Sequence, residues 1–425
     1  MAVSTDVSRL SSRLCKALSV AALYGLAAAL LRGTQAFLGR WSHPTPVGQH
    51  SVGSLRGRLP LPSGARSEGL LAQVHYPADP SVLIASAQTF EYCRPEVMKA
   101  VAEGYYVPEQ LLKWVMAARP QVDPPWMPSV PSVGKWPVVI FQSGLWGSFE
   151  FYTQFCRDVA SMGTIVVMLE HEDGTSITAV DQSSGEVIEY EEQPKWPYDI
   201  ITFNRGFLGK RTDELCEAVK AIQAIASSMG HEDLDANAAA SPLLQVLRGA
   251  SPERFALVGH SFGACSIVHA LNEVPPELAQ CCGAVLLDMW PGPLTTDPSG
   301  AFCEGLGERF PVPYVSLLSE VWADNEWYGA SCRRFSSARS TLCLAAATVP
   351  GSAHYWISDI SLWAPGWLLR LLGVMGPADA CATYASTARA VQLSLLSIFE
   401  NSSHSTLRSD FSSLGLDPIA RDSTT

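Results

Sequence analysis

Positive charge is in short supply in this sequence: 29 lysines and arginines face 41 aspartates and glutamates, for a net charge of −12. Without a basic surface to displace counterions, nucleic acid is excluded as a partner. Paired cysteines are missing too. The eleven cysteines include no C-x-x-C and one adjacent pair, Cys281-Cys282, so local spacing builds neither a metal site nor a dithiol redox motif. Cys216 and Cys265 fall on apolar helical faces and read as packing thiols, and the odd total leaves the redox compartment open. Internal repeats are absent. Charged residues make up 16% of the 425 residues and apolar ones 47%, a balance that excludes disorder and supplies a large core.

What is present centres on one stretch. Phe255-Ala256-Leu257-Val258 runs into Gly259-His260-Ser261-Phe262-Gly263, and a small-residue helical pattern starts at Ala264. Strand, sharp turn and helix in this order make a nucleophile elbow. The glycines at 259 and 263 have a steric reason, since a Cβ at either flank would collide with the strand or helix behind the turn. The helix that follows places the favourable end of its dipole beside Ser261.

Around the elbow the chain reads as a mostly parallel sheet. Residues 1–40 are a targeting segment: Arg9, Arg13 and Lys16 precede a fifteen-residue apolar run, Ala17 to Leu31, which is short for a bilayer span of about 20 residues and suits a signal-peptide core. A transit peptide or a signal anchor are the alternatives, and secretory entry is favoured. Residues 41–80 turn extended toward Leu70–Pro77 and read as early antiparallel strands, with His75 a surface strand residue. Residues 81–135 are an insertion carrying an apolar helix over Glu109 to Ala118. Its Leu111, Leu112 and Trp114 either cap the core or meet lipid. Strands follow at Pro137–Phe141 and Thr164–Glu170, with a helix over Phe149 to Met162 between them. Residues 175–200 form a polar, hairpin-like excursion whose glutamates read as solvated surface. Residues 205–229 show a helical period through Leu215, Val219, Ile222 and Ile225. Beyond the elbow come strands at Gly283–Asp288, Tyr314–Glu320 and Leu342–Val349. Alternating strands and helices of this kind predict a mostly parallel sheet with helices on both faces and ligands at the carboxyl ends of the strands, and Ser261, an acid and then a histidine at successive strand ends make it one α/β-hydrolase domain over 41–380. A C-terminal helix and polar tail occupy 381–425.

A serine hydroxyl is a weak nucleophile until a neutral imidazole takes its proton and an acid fixes that imidazole's tautomer. His354 follows the last strand in a Gly/Ser-rich loop and is the candidate base. His260 is too close in sequence to reach its neighbour's hydroxyl, and His404 lies in the polar tail. Three acids compete for the third role: Asp288, Glu320 and Asp324. Backbone N–H donors for an oxyanion are expected from Phe262, directly after the nucleophile, and from Leu145 in the turn after the first core strand.

Five motifs then fall in order: Phe141-x-x-Gly144-Leu145, Glu170-His171-x-Asp173, Gly259-His260-Ser261-Phe262-Gly263, Leu287-Asp288-x-Trp290-x-x-Pro293-Leu294 and Gly351-Ser352-x-His354-x-x-x-x-Asp359. With Gly48-x-His50-Ser51-Val52-Gly53 and Tyr76-Pro77, the stretch 46–375 resembles the platelet-activating factor acetylhydrolase family. The resemblance implies a calcium-independent serine esterase, without metal or cofactor, that removes short or oxidised sn-2 acyl chains from phospholipids. It assigns the acid to Asp288. It also implies a membrane or lipoprotein surface near Trp114, extending to Trp363, Trp367 and Leu368. One departure matters: Ser143 stands where the family usually has histidine, which questions how the oxyanion turn is supported. A general carboxylesterase or lipase of the same fold, and a catalytically silent membrane-binding module, are the competing expectations.

Overall fold

A computed structural model describes residues 43–60, 69–85, 87–110, 112, 122–181, 184–195, 197–227, 241–295, 306–337, 342–363, 366–371, 373–401 and 406–419. The expected targeting segment, Leu111, Trp114 and nearly all of the expected 109–118 helix lie outside these residues. The chain divides into two compact units, Met1–Pro44 with Glu91–Gln121, and Thr45–Phe90 with Val122–Thr425. In the first, helix α1 (Pro95–Gly104) opens on a proline and buries Val97, Val101 and Ala102. Leu112 is helical and half-buried.

The second unit is built on a ten-stranded sheet. Its strands are β1 (Val52–Arg58), β2 (Leu71–Leu83), β3 (Trp126–Pro128), β4 (Trp136–Gln142) and β5 (Ile165–Leu169). A separate hairpin, β6 (Thr178–Val180) with β7 (Val187–Glu189), intervenes. The sheet continues with β8 (Ala250–His260), β9 (Cys281–Leu287), β10 (Tyr314–Ser319), β11 (Cys343–Val349) and β12 (Asp417–Pro418). The order is β1-β2-β5-β4-β8-β9-β10-β11-β12, with β3 beside β2. The six from β5 to β11 are mutually parallel, and antiparallel partners flank them. Strands covered on both faces lose the apolar–polar alternation and read as continuous hydrophobic runs. Ile165-Val166-Val167-Met168-Leu169 is buried at every position. The elbow strand β8 sits in the middle of this block.

Helices cover both faces. Toward one face pack α3 (Pro197–Ser227), through Leu208, Leu215, Val219 and Ile222, and α4 (Phe262–Glu273). Toward the other lies α2 (Thr153–Ser161), whose Phe155 meets Phe141 of β4 at 5.8 Å. Beyond α5 (Glu320–Ala323) and α6 (Gly366–Leu371), α7 (Ala380–Glu400) joins α2 on that face. It buries Val391, Leu395 and Ile398, and Gln392 donates to the Asp158 carbonyl at 2.8 Å. The C-terminal helix is therefore part of the core of this unit. Among the described residues no helix is long and apolar enough to cross a membrane.

Two local expectations change. His75 is fully buried, with Nδ1 2.7 Å from Ser54 Oγ and Nε2 3.1 Å from the Gln73 amide nitrogen. Its strand is covered by α2, so the exposed face that alternation suggested does not exist at that point. In the polar excursion the glutamates 186, 189, 191 and 192 are exposed, but its first residues, Thr175 to Thr178, are buried. They run back beneath the turn after β4.

Candidate active site

Four strand ends converge at the carboxyl edge of the sheet: those of β4, β8, β9 and β11. At the end of β8, Ser261 has φ 57° and ψ −118°. Such a conformation costs on the order of 1–3 kcal/mol and persists only where its surroundings enforce it. They do so here. The Ser261 amide donates to Leu287 O at 2.9 Å, and its carbonyl accepts from Trp290 and Cys265. A Cβ on Gly263 would fall 2.2 Å from the Gln142 carbonyl oxygen, and one on Gly259 2.6 Å from the Gly263 carbonyl carbon. The elbow is pinned to β4 on one side and β9 on the other.

The Ser261 hydroxyl lies 3.0 Å from His354 Nε2, and His354 Nδ1 lies 2.9 Å from Asp288 Oδ2. The carboxylate can only accept, so Nδ1 carries the proton and Nε2 is the free base facing the serine. Asp288 is fully buried. Ser319 holds both its oxygens, the amide on Oδ1 and the hydroxyl on Oδ2, each at 2.6 Å. Burial raises the Asp288 carboxyl, and those two bonds oppose the rise. Burial also holds His354 below the ordinary histidine range, which keeps it neutral and able to accept a proton. Of the competing acids, Glu320 accepts from the Gly351 amide at 2.7 Å and so anchors the histidine loop, while Asp324 is exposed at the end of α5. The imidazole is flanked on both faces, by Trp322 stacked at 4.1 Å and 14° and by His260 at 4.6 Å.

Phe262 opens α4, so its N–H has no acceptor within the helix. Leu145 lies in the turn after β4, and that turn abuts the nucleophile closely enough that a Cβ on Gly144 would stand 3.0 Å from Ser261 Cβ. The turn is strained, with Trp146 at φ 54°. It is held from below. Trp146 donates to Thr175 O at 2.8 Å, and the fully buried Arg211 donates to the Ser143 carbonyl at 3.0 Å. Arg211 is itself fixed by Asp173 Oδ2 at 3.2 Å and by Thr175 Oγ1. The Ser143 hydroxyl has no partner, so Arg211 from α3, and not the side chain at 143, supports this turn. Beside it, His171 Nδ1 meets Glu214 Oε2 at 2.7 Å. Burial lowers that histidine and raises that glutamate.

His260, Asp288 and His354 offer ligand atoms within 4.8 Å of one another. The nitrogens that face oxygen here, His354 Nδ1 and His260 Nε2, are spoken for by protons donated to Asp288 and to the His354 carbonyl. A cation would have to displace both. As it stands the arrangement is suited to acyl transfer: a hydroxyl, a neutral base, an orienting carboxylate and two adjacent backbone donors.

Comparison with known proteins agrees with this geometry. The sequence model of the family described as platelet-activating factor acetylhydrolase, isoform II, matches residues 36–413. This chain belongs to that family. Among individual relatives, the platelet-activating factor acetylhydrolase of Canis lupus familiaris is 25% identical over 234 residues, 53% of this chain and 49% of that protein. The Bos taurus protein of the same name is 27% identical over 199 residues, 44% and 40% of the two chains. The matched stretch thus spans about half the length of these relatives or less. A ferulic acid esterase from Streptomyces cinnamoneus superimposes with a TM-score of 0.61 at 14% identity, over 90% of this chain and all of that one. That likeness shows the α/β-hydrolase fold.

Of the expected lipid-facing residues of this acetylhydrolase-family chain, Leu111 and Trp114 lie outside the described residues and Leu112 belongs to the first unit. Trp367 on α6 is 54% exposed and Leu371, one turn on, is 70% exposed. Trp363 ends a short helix and Leu368 lies on α6. Arg211, Tyr152 and Trp322 were not singled out from sequence. Arg211 had a signal: it precedes Leu215 by four residues, a charge on the apolar stripe of its helix.

Proposed function

We propose that this chain is a carboxylic ester hydrolase that removes an acetyl or a short, oxidised acyl group from the sn-2 position of glycerophospholipids, without calcium. The observation that carries the reading is the 3.0 Å and 2.9 Å relay from Ser261 through His354 to Asp288 in a chain of the acetylhydrolase family. Ser261 Oγ attacks the ester carbonyl while its proton passes to His354 Nε2, and the developing oxyanion is met by the Phe262 and Leu145 amides. His354 then gives that proton to the departing lysophospholipid oxygen, leaving an acyl-serine. Water, deprotonated by the same nitrogen, releases the carboxylic acid and restores Ser261. Charge on the carbonyl oxygen is met by amides and an imidazolium, so no step calls for a divalent cation.

The i, i+4 pair Trp367 and Leu371 is the lipid-contacting element of this reading, since exposed large apolar side chains one turn apart suit an interfacial position. Entry into the secretory route through residues 1–40 completes it, on the strength of Arg9, Arg13 and Lys16 ahead of the apolar run. The deciding experiment is turnover of phosphatidylcholines bearing acetyl, short oxidised or long sn-2 chains, in EDTA, with Ser261→Ala as control. Preference for the first two supports the reading. Hydrolysis of p-nitrophenyl butyrate without phospholipid turnover points to a general esterase. Failure to react with a fluorophosphonate probe points to a silent module.

A further inference from the structure

The residue preceding the nucleophile has no part in the relay, yet it is buried and both its ring nitrogens are engaged. His260 Nε2 lies 2.9 Å from the backbone carbonyl of His354, and Nδ1 lies 2.9 Å from the Tyr152 hydroxyl. A carbonyl can only accept, so Nε2 carries the proton and Nδ1 accepts from Tyr152. Tyr152 ends the 3-10 helix Phe149–Tyr152, in the segment by which the chain leaves the oxyanion turn. One directed chain therefore runs from Tyr152 O–H, on the segment that follows the oxyanion turn, into His260 and out to the histidine loop. Bonds aligned head to tail in this way reinforce one another. Tyr152 and His260 are 4% and 1% exposed, so water does not compete for them.

We propose that Tyr152 and His260 form a strut that sets the spacing between the two loops flanking Ser261, making both positioning residues for acyl transfer. The elbow fixes the nucleophile alone, because the base and the second oxyanion donor arrive on loops after β11 and β4. His260 shares its backbone with Ser261, so loops tied to its ring are registered against the attacking oxygen. Misplacement of about 1 Å costs on the order of a hundredfold in rate, and one strut can prevent it at both loops.

The proposal rests on the acyl-transfer reading of Ser261, and the test separates the two. Hydrolysis of p-nitrophenyl butyrate is measured for the wild type, Tyr152→Phe, His260→Leu, His260→Gln and the double variant Tyr152→Phe/His260→Leu. Rates are expressed per site titrated with a fluorophosphonate, which counts only folded, competent enzyme. Tyr152→Phe is expected to lower kcat roughly tenfold with KM unchanged, the loss of one hydrogen bond. His260→Gln, whose amide can donate to one partner and accept from the other, keeps kcat within about threefold of wild type, whereas His260→Leu loses more than Tyr152→Phe. The double variant matches His260→Leu, because a strut already cut cannot be cut again. Additive losses, or an unchanged kcat in Tyr152→Phe, overturn the strut while leaving the acyl-transfer reading intact. Wild-type protein that neither labels nor hydrolyses overturns both.

Discussion

Replacing Arg211 with methionine separates stability from catalysis at this site. Arg211 is fully buried and Asp173 is 6% exposed. They meet at 3.2 Å. Methionine keeps most of the aliphatic bulk and removes the cation, so Asp173 is left with the Thr175 amide at 2.9 Å and hydroxyl at 2.6 Å as its hydrogen-bond donors. Breaking a buried pair from one side costs about 3–5 kcal/mol, a large part of a total stability on the order of 5–15 kcal/mol. Denaturant unfolding should register that loss as a lower midpoint at unchanged slope. The same substitution frees the Ser143 carbonyl, one residue before the turn carrying the Leu145 amide. A misdirected oxyanion donor costs up to about 10²–10³ in kcat, and roughly 10–100-fold is expected here because the amide is loosened and not removed. Arg211→Met/Asp173→Asn removes the stranded charge as well. It should recover most of the stability and none of the kcat, because nothing yet holds Ser143. A loss under about 1 kcal/mol in the single variant, or recovery of kcat along with stability in the double one, would refute this account of the turn.

Three further outcomes are expected. Asp288→Asn leaves Ser319 its partners but offers His354 Nδ1 an amide, which favours the wrong tautomer, so kcat for p-nitrophenyl butyrate falls by about 10³–10⁴; Asp324→Asn changes it less than twofold. Proton transfer needs neutral His354, so kcat/KM is lost as pH falls through the imidazole's pKa in the free enzyme. Burial depresses that pKa, and the acid limb of the profile is therefore centred below pH 6.5, the ordinary histidine value; a limb centred at or above it contradicts the assigned environment. Trp322→Leu removes an aromatic face 4.1 Å from the ring that becomes cationic. The contact is worth about 0.5–2 kcal/mol, which predicts a two- to thirtyfold lower kcat and an acid limb displaced further down, with Trp322→Phe close to wild type.

What the sequence could say about this site followed from how each residue is positioned. Ser261 and Asp288 each follow directly on a buried, apolar strand and His354 stands in the Gly/Ser turn after another, and a strand end beside such a turn is visible in one dimension. The choice among Asp288, Glu320 and Asp324 was not visible in that pattern and came from the family resemblance. All three stand at strand ends or one turn beyond, and what separates them is the direction of a side chain: Asp288 has φ 42° and points at the imidazole, while Glu320 turns back to Gly351. His75 misled for a related reason, since alternation reports which side a residue faces but not whether a helix covers that side.

The supporting residues were harder still, because each acts across a long gap in the chain and through one atom. Arg211 reaches Ser143 over 68 positions and Tyr152 reaches His260 over 108. No period links such pairs, and their residue types are common. Arg211 shows what signal can survive. A charged side chain on the apolar stripe of a helix must either be turned out to water or be paired inside, and Leu215, Val219 and Ile222 on the same face of α3 are all buried. Burial of the stripe therefore required acids and carbonyls to be waiting at its N-terminal end, and the buried Asp173 and Ser143 are those partners. The same reasoning reaches Glu214, three residues on, which needed a donor in the core and has the His171 ring. A polar residue that violates the pattern of its own element announces a buried partner even where the sequence cannot name it. In this chain those violations lie directly beneath the turn that faces Ser261.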